Sequence, residues 1–236
     1  ENIFILKGQV FVILGRIKKA LKVFKSAIQF SSNKDELYYQ IGLAYQSSER
    51  YKKALKYFKK AVNSNISHEN ALNDLAECFN ILGETKKSIK FYKKFIDQDP
   101  YSEFAWFNLA KVYFNLKKYK KSIKAYEYSI TINDEFSSAY LGLGKAYKKL
   151  KKFKKATKIF ESIYELDGPG FDIYYHLGDI YFLRNEYDIS IKFFQKALKE
   201  KEFHVKSLIG IGKSLSSIEK WHEAIHYFRK AISIEG

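Results

Sequence analysis

The segment HEAIH, residues 222–226, combines side-chain types and a spacing that could bind a metal. On a helix, His222 and His226 lie one turn apart on the same side, with Glu223 next to them. This is the H-E-x-x-H pattern of zinc proteases, in which the histidines bind zinc and the glutamate acts as a general base. A catalytic zinc needs a third protein ligand, and the residues that follow, YFRKAISIEG, offer only Glu235. What the motif can do therefore depends on the element that carries it.

The sequence repeats with a fixed period, and that period defines the elements. RYKKALKYFKKA at 50–61 matches KFKKATKIFESI at 152–163 and KWHEAIHYFRKA at 220–231, each a multiple of 34 residues from the others. A second series, which includes QIGLAY at 40–45, keeps the same step. A period of this length without insertions indicates a repeat architecture. We predict one domain, a single array over 1–236, with repeats 1–34, 35–68, 69–102, 103–136, 137–170, 171–204 and 205–236.

The repeat resembles the tetratricopeptide repeat family over the whole chain. With places counted from 1 to 34 in each repeat, place 8 is small, as in Gly42 and Ala76, and place 20 is small throughout. Place 24 is always aromatic: Phe24, Phe58, Tyr92, Tyr126, Phe160, Phe194 and Phe228. The family's proline survives as Pro100, with Pro169 one place late. The resemblance implies an all-α fold, a right-handed superhelical solenoid of antiparallel helix pairs.

The distribution of apolar residues supports the same fold independently. Each repeat holds two apolar series at helical spacing, which predicts a first helix, A, and a second helix, B. Small residues at places 8 and 20 allow the two helices to approach, and aromatic residues at places 4, 11 and 24 fill the space between them. One repeat cannot bury both of its apolar faces, so neighbours must stack. Cys78, at place 10, is predicted to be a small core residue.

The register also assigns a face to the charged residues of helix B. Places 17, 20, 21, 24, 27 and 28 are mostly apolar, so places 18, 19, 22, 25 and 26 point away from the stack. We predict that these places form an outer, convex face, which in the second repeat carries Lys52, Lys53, Lys56, Lys59 and Lys60. His222, Glu223 and His226 occupy the same places in the last repeat. We therefore interpret HEAIH as a solvent-facing segment and expect no catalytic residue, no metal and no cofactor.

Composition limits the classes of partner. The net charge is +16, and a regular basic band could follow a phosphate backbone or an anionic membrane. Of the 42 basic residues, however, all but Arg16, Arg50, Arg184 and Arg229 are lysine, which argues against specific reading of nucleic acid. No stretch approaches the roughly 20 apolar residues of a membrane span. The single cysteine suits a reducing compartment, and the predicted location is cytoplasmic.

The resemblance implies a concave groove, lined by the A helices, that binds a peptide or a partner helix. Places 2, 5, 6, 9, 12 and 13 face this groove, and in the fourth repeat they present phenylalanines flanked by a lysine, which is unusual for a surface that meets only water. The alternative, that Phe104 or Phe107 packs on adjacent helices, stays open. Asn70, Asp172 and His176 share these places. The candidate binding residues are Tyr39, Asn73, Asp74, Glu77, Asn80, Phe104, Phe107, Asn108, Lys111, Phe114, Asn115, Lys145, Lys148, Lys149, Tyr175, Asp179 and Phe182.

The predicted function is a non-catalytic scaffold for protein–protein interaction, which binds an acidic, aromatic-bearing protein or peptide. Aromatic anchors and lysine–carboxylate pairs would supply recognition. The clamp with which some family members grip a C-terminal carboxylate is not expected, since the second repeat has Tyr39 and Leu43 at places 5 and 9, where the clamp needs Lys and Asn. Two alternatives remain: a basic surface that docks on RNA or anionic membrane, and the substrate-recruiting arm of a larger enzyme.

The two ends of the array carry apolar residues. The first helix, NIFILKGQVFVIL, is apolar on nearly all sides, and the last B helix presents Ile225 and Ile232. A terminal repeat normally has a polar outer face. The chain also lacks methionine, so we interpret it as part of a longer protein. We expect further chain, or a second copy that associates end to end, to cover both ends.

Overall fold

A computed structural model describes residues 2–32 and 34–235, and within these ranges the chain forms fourteen α-helices. Odd-numbered helices are the predicted A helices and even-numbered ones the B helices, so the all-α fold is confirmed. The helices are α1 Asn2–Ile13, α2 Ile17–Ala27, α3 Lys34–Gln46, α4 Tyr51–Ser64, α5 Glu69–Ile81, α6 Thr85–Gln98, α7 Glu103–Asn115, α8 Tyr119–Ile132, α9 Ser137–Lys149, α10 Phe153–Asp167, α11 Phe171–Leu183, α12 Tyr187–Glu200, α13 Val205–Ser217 and α14 Trp221–Glu235.

The chain divides into two compact units, residues 1–112 and 113–236. The first contains α1 to α6 and most of α7, and the second contains the last residues of α7 and α8 to α14. Within each unit, the A and B helices of a repeat pack against each other, and the B helices α2, α4, α8, α10 and α12 also pack on the next A helix. The single array over residues 1–236 stays a prediction.

The turn from helix A to helix B is the same in all seven repeats. The residue at place 15 has a φ of 57° to 68° in each of them. The N–H at place 16 donates to the carbonyl at place 11, as Lys152 does to Tyr147 at 3.0 Å, and Lys151 donates to Lys148 at 2.9 Å. These two bonds form a Schellman motif, which satisfies the last carbonyls of helix A. Left-handed backbone suits glycine and asparagine, yet four of the seven positions hold Glu49, Lys117, Lys151 and Glu219.

Small residues at place 8 allow the close approach of helices A and B, as predicted. A Cβ atom added to Gly42 would lie 2.3 Å from the ring of Phe58, and one added to Gly178 would lie 2.8 Å from Phe194. Phe58 is itself fully buried. The aromatic ring at place 24 therefore lies directly on the backbone at place 8.

The core includes places 3 and 7 of the A helices, which the sequence analysis had not assigned. Leu37, Ile41 and Leu75 are fully buried on the A helices of the first unit. Cys78 is also fully buried, which confirms the prediction of a core residue. Burial raises the pKa of its thiol to about 12, with a smaller contribution from nearby carboxylates. Cys78 is therefore a protonated packing residue at neutral pH.

Candidate functional site

In the first unit, the predicted groove residues of neighbouring A helices bind each other. We call the surface at A-helix places 2, 5, 6, 9, 12 and 13 the A face. The Tyr39 hydroxyl on α3 donates to Asp74 Oδ2 on α5 at 2.9 Å, and the Tyr39 ring packs on His68 at a centroid distance of 4.8 Å. Burial is the main cause that raises the pKa of Asp74, while the hydrogen bond from Tyr39 opposes it. This pair bridges two consecutive repeats.

Asn108 is a correction to the sequence prediction, because its side chain is fully buried and therefore not accessible to a ligand on the A face. Its Nδ2 donates to Asn73 Oδ1 at 3.1 Å, while its own Oδ1 has no hydrogen-bond partner in the structure. Asn73 is half-buried. Both this pair and Tyr39–Asp74 join place 5 of one repeat to place 6 of the next, 35 residues apart.

The remaining A-face candidates of the first unit reach solvent. Glu77, Asn80 and Lys111 are exposed, and Phe104 and Phe107 are half-buried. The Lys111 ammonium lies 5.2 Å from the centre of the Phe107 ring, one turn away on α7. Part of the predicted aromatic and charged surface is therefore accessible here.

In the second unit, Lys148 links α9 to α11. Its Nζ lies 2.7 Å from Asp179 Oδ2 and 3.1 Å from His176 Nδ1, and only 12% of the Lys148 side chain is exposed. His176 is buried and stacks on Phe160 at 5.3 Å, so it is not accessible to a ligand on the A face, contrary to the prediction. Burial, reinforced by Lys148 and Lys145, lowers the pKa of His176 to about 2. His176 is therefore neutral at physiological pH.

Lys145 lies on the same face but differs from Lys148 in its partners. It is half-buried, and among the described residues no hydrogen bond or ion pair to its ammonium is present. Burial is the main cause that lowers the pKa of Lys145, opposed by the nearby charge of Asp172. Lys149, four residues further along α9, is exposed. Lys145 and Lys149 are thus cations of this unit that an external anion could reach.

Tyr175 belongs to an aromatic cluster that the sequence prediction had not assembled. Its ring stacks on Phe171 at 6.0 Å with an angle of 7°, and His204 meets it edge-on at 5.0 Å. The Lys201 ammonium lies 4.3 Å above the Phe171 ring. His204 also accepts a hydrogen bond from Ser207 N at the start of α13. The sequence could have indicated this cluster, because Phe171 and His204 lie at the junctions between repeats. The prediction missed them because neither residue is at an A-face place.

Three other predicted residues of the second unit lie at the ends of the A helices. Phe114 contacts Tyr119 at 5.4 Å, and Phe182 contacts Tyr187 at 5.7 Å, each within its own helix pair. Both phenylalanines are half-buried, and Asn115 is exposed. These rings anchor helix ends and still present an edge to solvent.

The B helices carry the lysines on the side away from the stack, as predicted for Lys52, Lys53, Lys56 and Lys60, which are exposed. Lys59 is a correction, because it is half-buried, with its ammonium 4.9 Å above the Phe79 ring. Several exposed lysines also lie over aromatic rings of their own repeat: Lys53 over Tyr45, Lys121 over Tyr113 and Lys155 over Tyr147, at 5.6 to 5.9 Å. The outer lysines therefore cover aromatic surface as well as meeting water.

HEAIH lies on α14 with all three of its polar residues exposed, as its register predicted. In the part of the chain that the structure describes, no three His, Cys, Asp or Glu side chains group as a metal site would require. None of the described helices is long and apolar enough to cross a bilayer.

Alternating helices with a 34-residue period and a mixed polar and aromatic A face define a helical-repeat protein. The chain belongs to the tetratricopeptide repeat family. It matches the family model described as "TPR repeat" over residues 8–48 and the one described as "Tetratricopeptide repeat" over 137–168 and 171–204. Residues 47–129 match the model for "Anaphase-promoting complex, cyclosome, subunit 3".

Solved structures share the fold. A tetratricopeptide repeat protein from Parabacteroides merdae is 20% identical with a TM-score of 0.69, covering 99% of this chain and 92% of that one. PilF from Pseudomonas aeruginosa is 20% identical with a TM-score of 0.67, covering 82% and 88%. YrrB, described as "a TPR protein with an unusual peptide-binding site", is 20% identical with a TM-score of 0.59, covering 75% and 91%. The search of curated proteins found no match. At these identities the likeness establishes the solenoid fold alone.

Proposed function

We propose that the protein is a non-catalytic interaction scaffold and that the A face of its second unit binds an acidic segment of a partner protein. Proteins of this fold commonly act as interaction scaffolds, and YrrB is described as having a peptide-binding site. The proposal concerns α9 and α11, whose A-face residues include Lys145 and Lys149, two cations that form no ion pair with the residues that the structure describes.

The observation that carries the proposal is the contrast between Lys148 and Lys145. Lys148 is neutralised by Asp179 at 2.7 Å, whereas Lys145, one turn earlier on α9, is half-buried with no ion pair among the described residues. Holding a half-buried ammonium without a partner costs free energy, which a bound carboxylate would recover. Lys149 adds a second accessible cation, and Tyr175 gives an adjacent aromatic ring that can anchor an apolar side chain.

A selection experiment tests this proposal. Random dodecapeptides displayed on phage are selected on the wild-type protein and then screened against two variants, Lys145→Glu on the A face and Lys154→Glu on the exposed outer side of α10. We expect peptides enriched in Asp, Glu and aromatic residues that lose binding to Lys145→Glu and keep it to Lys154→Glu. Equal loss with both variants would mean that the net charge, and not the A face, binds the peptides.

Docking of the outer lysines on RNA or anionic membrane is the second candidate function. Its support is the exposure of the same B-helix places in successive repeats, such as Lys52 and Lys56 in the second and Lys86 and Lys90 in the third. Affinity that comes from phosphate contacts falls steeply with salt. A salt titration therefore separates this function from the first, because anchored peptide binding depends less on ionic strength.

We further propose that the end helices associate with each other between copies. Ile3, Leu6 and Val10 on α1 are 77%, 62% and 52% exposed, although the residues at the same places on α3 are buried. On α14, Trp221 and Ile232 are 58% and 69% exposed. These are the two faces that meet wherever one repeat stacks on the next, so α14 of one copy fits α1 of another.

A further inference from the structure

An aromatic groove of about 410 Å³ lies in the second unit, where α10, α11 and α12 meet. Its wall includes Tyr164 from α10, Tyr174 and Tyr181 from α11, and Phe193 from α12. The Tyr181 and Phe193 rings are parallel, with an angle of 2° and centroids 5.4 Å apart. Four aromatic rings that line one groove offer several π faces to one ligand.

Tyr164 at the rim of this groove departs from the other repeats. It stands at place 28, which holds Ile28, Val62, Ile96, Ile130, Leu198 and Ile232 elsewhere. Val62 is 1% exposed and Ile96 is 8% exposed, whereas Tyr164 is 50% exposed. Tyr164 therefore does not fill the junction between repeats, and its ring is accessible to a ligand.

The rings of the groove already attract a cation. The Lys196 ammonium lies 5.4 Å from the centroids of both Tyr174 and Phe193. Ring faces carry partial negative charge and bind ammonium and guanidinium groups at this distance. Lys196 is an exposed side chain on α12, so another cation can take its place without unfolding a helix.

Two carboxylates beside the rings give the groove an acidic edge on a strongly basic chain. Glu161 and Glu165 line it, are exposed, and have no hydrogen bond or ion pair among the described residues. By contrast Glu127, at the same place as Glu161 in the preceding repeat, accepts a hydrogen bond from the Tyr147 hydroxyl at 2.7 Å. The chain as a whole has a net charge of +16, so these unpaired carboxylates next to aromatic rings indicate that the groove, unlike most of the surface, prefers cations.

The corresponding groove of the first unit serves as an internal comparison. It measures about 460 Å³ where α4 and α6 meet, and Lys59, Val62 and Asn63 take the places of Glu161, Tyr164 and Glu165. It contains two lysines, Lys59 and Lys94, and no carboxylate. The same position in the fold therefore has opposite charge in the two units, so the repeat itself does not dictate the acidic groove.

We propose that the groove formed by α10, α11 and α12 binds a lysine or arginine side chain presented by a basic segment of a partner protein. The cation lies on the Tyr174 and Phe193 rings in place of Lys196, beside Tyr164, and pairs with Glu161 and Glu165. Arginine is the better fit, because a planar guanidinium stacks on a ring and binds a carboxylate at the same time.

Anisotropy of two fluorescein-labelled hexapeptides tests the proposal. One peptide has two arginines spaced by leucine, and the other has glutamate in place of both arginines. We expect the protein to bind the arginine peptide more tightly than the glutamate peptide. The double variant Glu161→Lys/Glu165→Asn, which introduces the residues that the first unit has at the same two places, should lose about tenfold in affinity, as expected for the loss of two ion pairs.

The matched control is Glu202→Lys/Asp188→Asn, which changes the net charge equally at exposed positions of the second unit outside the groove. We expect it to keep wild-type affinity for the arginine peptide. An equal loss in the control, tighter binding of the glutamate peptide, or no binding of the arginine peptide at millimolar concentration would each overturn the proposal.

Discussion

The Lys148 ammonium on α9 lies 2.7 Å from the Asp179 carboxylate on α11, in contact across two consecutive repeats. Tyr39 with Asp74, and Asn73 with Asn108, join consecutive A helices in the same manner. Side chains that the sequence assigned to a ligand thus hold neighbouring repeats together. The polar residues of the A face divide into those that bridge repeats and those, such as Lys145, that do not.

The first prediction concerns the stability that the Lys148 bridge supplies. Lys148→Met should lower the free energy of unfolding by about 2 kcal/mol, because Asp179 loses its partner. This loss lies between the contributions of exposed ion pairs and the cost of breaking a buried ion pair. Urea denaturation followed by circular dichroism measures this. Lys154→Met, at an exposed position on α10, should change stability by less than about 0.5 kcal/mol. Equal effects of the two variants would mean that the bridge contributes nothing.

The second prediction is a dependence of stability on pH through His176. Its folded pKa of about 2 lies below the ordinary value of 6.5, so the unfolded chain binds more protons between these values and stability falls with acid. Between pH 7 and pH 5 this residue alone should cost about 2 kcal/mol. His176→Gln, which does not titrate, should show a shallower loss over the same range. Parallel stability curves for both proteins would contradict the assignment.

The third prediction tests the contact between places 8 and 24. In Gly42→Ala the new methyl group would meet the fully buried Phe58 ring at 2.3 Å, so the ring or the helix must shift. We expect a loss of about 1–3 kcal/mol, as for other overpacked cores. Gly170→Ala, where nothing lies within 4 Å and φ is −162°, should be neutral or slightly stabilising. Thermal melting of both variants distinguishes the two sites.

The fourth prediction concerns association between copies. Sedimentation of the wild-type protein should show larger species as concentration rises, because α1 and α14 expose the two halves of a repeat interface. Ile3→Lys and Trp221→Lys should each reduce this association, since both change exposed side chains on one of these faces. Lys52→Met, an exposed change on α4, is the control. A protein that sediments as a monomer at all concentrations would contradict the proposal.

The fold was predictable because one pattern recurs at a fixed period. Gly42 and Phe58 could be paired from their places alone, and the start of each B helix at place 17 follows from the same register. The left-handed backbone at place 15 was harder to predict from the sequence, because lysine, as at Lys117 and Lys151, does not indicate a positive φ. At place 15, the packing of the helix pair imposes a left-handed backbone conformation that lysine and glutamate by themselves disfavour.

The candidate site was predictable only in part, for a physical reason. Periodicity assigns a side chain to a face but does not reveal its partner on the next repeat. Asn108 was assigned to the A face and is fully buried, and Lys59 was assigned to solvent and lies over Phe79. A search for complementary side chains 35 residues apart would have found Tyr39–Asp74 and Asn73–Asn108. The exposure of Tyr164 depends on the packing of three helices and has no comparable signal.

The most direct test of the central claim is the affinity of one selected acidic peptide for three proteins at two salt concentrations. Calorimetry with wild type, Lys145→Glu and Lys154→Glu at about 50 and 200 mM salt gives six dissociation constants. We expect Lys145→Glu to bind at least about tenfold more weakly than wild type at both salt concentrations, as for the loss of one charge-assisted contact and the gain of a repulsive one. Lys154→Glu should match wild type. Equal weakening by both variants, vanishing at the higher salt, would contradict binding at the A face and favour bulk electrostatic attraction.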